Sequence, residues 1–111
     1  MASHHKKKLG LVHVYTGEGK GKTTAALGTM LRAAGHGYRS TMIRFLRGHR
    51  DAGEIKAMQQ FKGLFEILPF AQEGIIDLVN PMPFDKHLAI QGLNYARAIM
   101  QRKRPYILVL D

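Results

Sequence analysis

Residues Thr16 to Thr24 read T-G-E-G-K-G-K-T-T, a spacing of glycine, lysine and hydroxyl groups that can hold a phosphorylated nucleotide. Gly17, Gly19 and Gly21 can adopt backbone angles that other residues avoid, so successive N–H groups can turn inward as a nest for an anion. A helix starting near Lys22 would add the positive end of its dipole. Lys22 supplies a mobile ammonium for phosphate oxygens, and the Thr23 hydroxyl is placed to ligate Mg²⁺. Lys20 adds a second cation, and Glu18 and Thr24 complete the loop. The strict pattern has Gly where Thr16 stands, so the loop is a variant form. The alternative is a Gly-rich turn carrying a chance G-K-T, which the flanking sequence argues against.

A second candidate lies at the far end of the chain. Asp111 follows the apolar run Tyr106 to Leu110, as a Walker B aspartate does when its carboxylate orients Mg²⁺ or its water. Many buried strands end in Asp, so it is the loop that gives Asp111 its meaning. His36 between two glycines reads as a turn residue.

The elements that must position these residues alternate. Leu9–Tyr15 is mostly apolar and reads as a strand covered on both faces. Thr23–Ala34 carries Ala26, Leu27, Met30, Leu31 and Ala34 at helical spacing, with Gly35 able to cap its end. Arg39–Phe45 reads as a second strand with Thr41, Ile43 and Phe45 on one face. Asp51–Phe61 reads as a short helix with Ile55, Met58 and Phe61 inward, and Leu64–Leu68 as a third strand stopped by Pro69. Phe70–Pro83 is irregular. Asp85–Arg102 is a long helix, with Leu88, Tyr95 and Ile99 on one side and Leu93, Ala96 and Met100 nearby; Tyr106–Leu110 is a fourth strand. This order predicts an α/β, P-loop NTPase-like three-layer fold: a parallel sheet of about four strands with right-handed crossovers and helices on both faces. Ligands of such sheets bind outside the carboxyl ends of the strands, where the Gly-rich loop and Asp111 would both lie.

Composition sets the bounds. The chain has 111 residues, 45% hydrophobic and 23% charged, which suits one small domain. Residues 1–8 read as a basic flexible tail, with His4 and His5 consistent with the remnant of an expression tag, and residues 9–111 as the nucleotide-binding domain. No apolar run has the length of a membrane span, and no signal-peptide core follows the basic start. Zero cysteines exclude disulfides and Cys chemistry and fit a reducing cytoplasm. The formal charge of +9 can mean a nucleic-acid partner and can equally mean polyanionic ligands. The absence of Trp, and core-like positions for most Phe and Tyr, argue against a single-stranded nucleic-acid binder. A Walker B strand is normally followed by further elements, so the expectation is an incomplete domain whose open sheet edges favour self-association.

The stretch L-V-H-V-Y-T-G-E-G-K-G-K-T-T-A-A-L-G-T-M-L-R-A-A-G-H-G, followed by F-L-R-G, closely resembles the CobA-type ATP:corrinoid adenosyltransferases. The likeness is dense from Val12 to Gly48 and looser from Phe84 to Asp111. It implies transfer of the 5′-deoxyadenosyl group of MgATP to the Co(I) centre of a reduced corrinoid, with release of triphosphate, in adenosylcobalamin biosynthesis or salvage. It also implies a flavoprotein reductant, a homodimer and a cytoplasmic location. Thr16, Gly17, Glu18, Gly19, Lys20, Gly21, Lys22, Thr23, Thr24 and Arg32 would bind ATP, with a solvated helix arginine as the equal alternative for Arg32; Lys22 and Asp111 would be catalytic; Thr23 and Asp111 would hold Mg²⁺. The chain departs from the family at Glu18, where Asn is frequent, at Arg44 in place of Gln, and at Arg47 in place of Lys. The family's aromatic, Gly-rich corrin-facing segment has no clear counterpart in L-P-F-A-Q-E-G-I-I-D, the N-terminal helix that can cover the corrin is absent, and an acidic residue is expected directly after Asp111. The alternatives are a P-loop ATPase or kinase acting on the γ-phosphate, and a nucleotide-binding fragment without chemistry.

Overall fold

The computed structural model describes residues 10–14, 16, 21–45, 53–58, 60, 61, 63–70 and 80–111, with Ile55 described by its backbone alone. Its elements are α1 (Lys22–Gly35), β1 (Ser40–Arg44), α2 (Gly53–Met58), β2 (Phe65–Pro69), α3 (Pro83–Arg102) and β3 (Ile107–Leu110). Among the described residues the strands form one parallel sheet in the order β2-β1-β3.

The central strand is buried along its whole length. Met42 pairs in register with Ile67 and Val109, and Ile43 with Leu68 and Leu110. Successive side chains of a strand point to opposite faces, so these two residues seed two cores. Met42 packs with Leu27 and Met30 of α1, and with Met58, Phe65, Ile67, Ile107 and Val109. Ile43 packs with Ala96 and Ile99 of α3, and with Phe45, Phe70, Tyr95 and Leu108. Helices therefore cover both faces, α1 and α2 on one and α3 on the other, giving three layers.

Local chemistry explains the element ends. Gly21 precedes α1 at φ 111°, a left-handed conformation that favours glycine. At the other end the Gly37 N–H bonds Ala34 O at 2.9 Å and the Tyr38 N–H bonds Ala33 O at 3.0 Å. The positive φ of 80° that allows this turn falls on Gly37, not on Gly35. Pro83 starts α3, and the Asp85 carboxylate accepts a bond from the Met82 N–H at 3.3 Å. Gly92 lets α3 approach the sheet, because a Cβ there would lie 2.6 Å from Phe45 Cε1.

The expected strand over Leu9–Tyr15 is not observed. Its described part, residues 10–14, has no regular secondary structure, and Leu11, Val12 and Val14 are exposed. The described sheet thus has three strands rather than four. Strand propensity measures how well residues fit a pleated, half-buried surface, and the described residues 10–14 are exposed instead. Of the expected helix over Asp51–Phe61, Gly53–Met58 is helical, residues 51, 52 and 59 lie outside the described residues, and Phe61 is exposed, edge-on to Phe65 at 5.3 Å between ring centroids. Leu31, Leu93 and Met100, read as lying on or near inward faces, are exposed.

Candidate active site

The carboxyl edge of the sheet gathers the titratable and hydroxyl groups. Backbone bonds continue beyond the strands there. The Asp111 N–H donates to Ile43 O and the Phe45 N–H to Asp111 O, each at 2.8 Å, while the Phe70 N–H donates to Arg44 O at 2.8 Å. Asp111 is thereby fixed beside the end of the central strand.

Its side chain meets the first turn of α1. The Thr23 hydroxyl lies 2.9 Å from Asp111 Oδ1 and 3.1 Å from Oδ2, donating to the carboxylate. The first turn of α1 carries no acidic residue, and its N-cap is Gly21, which has no side chain to cap it. The positive end of the helix dipole favours an anion there. Lys22 and Thr24 flank Thr23 in this turn and are exposed.

A cation enters from the central strand. Arg44 is buried, with its Nε 3.4 Å from Asp111 Oδ2 and one terminal nitrogen 3.4 Å from Glu54 Oε2 on α2. Arg44 and Glu54 were not among the predicted site residues. The available signal was an arginine closing an otherwise uncharged strand, S-T-M-I-R, where burial of a charge demands a partner.

Of the predicted site residues, Gly21, Lys22, Thr23 and Thr24 lie together at the head of α1, and Asp111 joins Thr23. Gly17, Glu18, Gly19 and Lys20 lie outside the described residues. Thr16 is exposed and belongs to no element. Arg32 sits exposed in the last turn of α1. At 1.5 Å per residue it lies about 15 Å along the axis from Lys22, so the described structure does not bring it to the other candidates. A threonine hydroxyl beside a carboxylate is a hard-oxygen donor set, of the kind Mg²⁺ takes together with substrate phosphates. Among the described residues no group of three or more His, Cys, Asp or Glu could hold a metal without such help.

Residues 8–111 match the family model for the ATP:corrinoid adenosyltransferases BtuR/CobO/CobP. The chain belongs to this family. It is 41% identical over 59 residues to the corrinoid adenosyltransferase of Escherichia coli K12, a match covering 53% of this chain and 30% of that protein. The Salmonella typhimurium corrinoid adenosyltransferase CobA matches to the same extent, at 41% over 59 residues, covering 53% and 30%. A corrinoid adenosyltransferase from Sinorhizobium sp. is 28% identical over 104 residues, covering 92% of this chain and 48% of that protein. The chain thus spans between about a third and a half of the length of these adenosyltransferases. The family fits the observed α/β sheet with helices on both faces.

Proposed function

We propose that this chain supplies the ATP-binding part of an enzyme that transfers the 5′-deoxyadenosyl group of ATP to the cobalt of a reduced corrinoid. The observation that carries this reading is the Thr23–Asp111 contact at the head of α1, in a chain of the ATP:corrinoid adenosyltransferase family. The cobalt lone pair of the Co(I) substrate forms a bond to C5′, the C5′–O bond breaks with its electrons going to oxygen, and triphosphate leaves whole. Cobalt is formally oxidised by two electrons, so a reductant must first deliver Co(I); a flavoprotein is our candidate, and a homodimer and a cytoplasmic setting belong to the same proposal.

The protein's share of this chemistry is placement and charge. The N-terminal end of α1 and the Lys22 ammonium bind the phosphates and stabilise the charge that grows on the leaving triphosphate. Thr23 and Asp111 would hold Mg²⁺, directly or through its water, and the ion would supply further charge neutralisation at the phosphate oxygens. The sheet edge holds these groups in fixed geometry, so little reorganisation is needed as charge develops. Among the described residues no helix is long and apolar enough to cross a membrane.

The test is an anaerobic incubation with MgATP and chemically reduced cobalamin. Adenosylcobalamin is read by its light-sensitive spectrum, and triphosphate is assayed alongside orthophosphate. Product with stoichiometric triphosphate is the expected result. Orthophosphate without an adenosylated corrinoid would replace this reading with γ-phosphate chemistry.

A further inference from the structure

We propose that Arg44 is a built-in counter-cation for Asp111 that keeps the Thr23–Asp111 pair from taking a divalent cation until nucleotide phosphates arrive with it. The proposal rests on reading Thr23 and Asp111 as the metal-binding pair.

The position of Arg44 is the first support. It closes the central strand, at 6% exposure, with its guanidinium between the carboxylates of Asp111 and Glu54. A guanidinium does not lose its proton in a protein, so this positive charge is permanent. It approaches the same oxygen, Asp111 Oδ2, that accepts from Thr23 at 3.1 Å.

The looseness of its contacts is the second. Charge-assisted N–H···O bonds run at about 2.7–2.9 Å, whereas both Arg44 contacts are 3.4 Å. Arg44 Nε is buried and finds no hydrogen-bond acceptor among the described residues. The guanidinium is shared between two carboxylates and locked onto neither. A cation entering at Asp111 must therefore compete with a charge already there, and the competing charge can be drawn off.

The consequence is an order of binding. A Mg–O bond to Asp111 is about 2.1 Å long, which puts the ion and the guanidinium well within the Debye length of about 8 Å. Their repulsion weakens binding of the metal alone. A triphosphate brings several negative charges that offset it, so metal and nucleotide enter together. A purely structural Arg44, pinning α2 to the sheet, would raise stability without affecting metal affinity.

The experiment measures Mn²⁺ binding by paramagnetic resonance without nucleotide, in the parent chain, Asp111→Asn, Arg44→Gln and the double variant Arg44→Gln/Glu54→Gln. The double variant keeps the parent's net charge and removes the Glu54 carboxylate together with the cation, leaving Asp111 alone without its partner, so it decides the matter even where Arg44→Gln alone does not fold. The expected result is Mn²⁺ binding at least about tenfold tighter in both Arg44 variants, and weaker binding in Asp111→Asn. A double variant that binds Mn²⁺ no more tightly than the parent, with Asp111→Asn weakened, would overturn this proposal alone. Parent-like Mn²⁺ binding by Asp111→Asn would overturn the metal-pair reading and this proposal with it.

Discussion

Thr23 and Asp111, 88 residues apart in the chain, meet through one hydroxyl and one carboxylate, with Thr23 Oγ1 2.9 Å from Asp111 Oδ1. The contact ties the first turn of α1 to the end of β3. It brings together two groups that the sequence places at opposite ends, and it draws on the third layer of the fold only through the sheet that α3 supports.

Removing that hydroxyl separates binding from folding. Thr23→Ala is expected to lose at least about tenfold in ATP affinity when Mg²⁺ is present, a change of about 1.4 kcal/mol, with a smaller change in EDTA. The stability cost should be only about 1 kcal/mol, the net value of one hydrogen bond, since Asp111 keeps Arg44 at 3.4 Å. Thr23→Ser should behave as the parent. Calorimetric titration of ATP with and without Mg²⁺ checks all three, and an equal loss in both media would remove Thr23 from the metal site.

Lys22 opens α1 and is exposed. Its replacement by Ala therefore leaves the core intact and suits helix propensity. ATP affinity is expected to fall by about a hundredfold, roughly 2.7 kcal/mol, with the circular dichroism spectrum and urea midpoint unchanged. Normal MgATP binding by Lys22→Ala would defeat the assignment of the loop.

Much of this arrangement was legible because periodicity reports burial directly. Leu27 and Met30 mark one stripe of α1, and Met42 and Ile43 alternate between the two cores. The helix after the loop and an Asp at a strand end followed from local signals, and the structure joins them. The residues that escaped depend on partners outside their own segment. Leu11, Val12 and Val14 are apolar yet exposed, because a strand forms through cross-strand pairs and not through composition. Leu93 and Met100 share the apolar character of α3 but not its sheet-facing side. Arg44 stood out only as a departure from the family's Gln; its burial follows from the end of β1 lying between β2 and β3, a fact of topology.

Two helical glycines should respond in opposite directions to the same change. At Gly28 in α1 an added Cβ would meet nothing within 4 Å among the described residues, so Gly28→Ala is expected to stabilise by about 0.5–1 kcal/mol through helix propensity. Gly92 in α3 would place that atom 2.6 Å from Phe45 Cε1 and 3.1 Å from Phe70 Cβ. Overpacking costs about 1–3 kcal/mol and outweighs the propensity gain, so Gly92→Ala should be destabilised. Urea unfolding of both variants decides it, and a stabilised Gly92→Ala would mean that Phe45 yields freely.

Met42 carries the centre of the sheet and has no exposed surface. Met42→Ala should cost about 2–5 kcal/mol, the usual range for a buried Met or Leu. Domains are stable by only about 5–15 kcal/mol, and small ones sit at the lower end. The thermal midpoint should therefore drop steeply, by about 4–8 °C for each kcal/mol. A ligand that binds only the folded state opposes this loss by about 2.7 kcal/mol at a hundred times its Kd. MgATP at that excess should accordingly recover much of the midpoint in Met42→Ala, and only a small part of it, about 0.4 kcal/mol, in Met42→Ala/Lys22→Ala at the same concentration. Equal recovery in the double variant would place the stabilising nucleotide away from the head of α1; no recovery in either would show that the folded chain does not bind MgATP there.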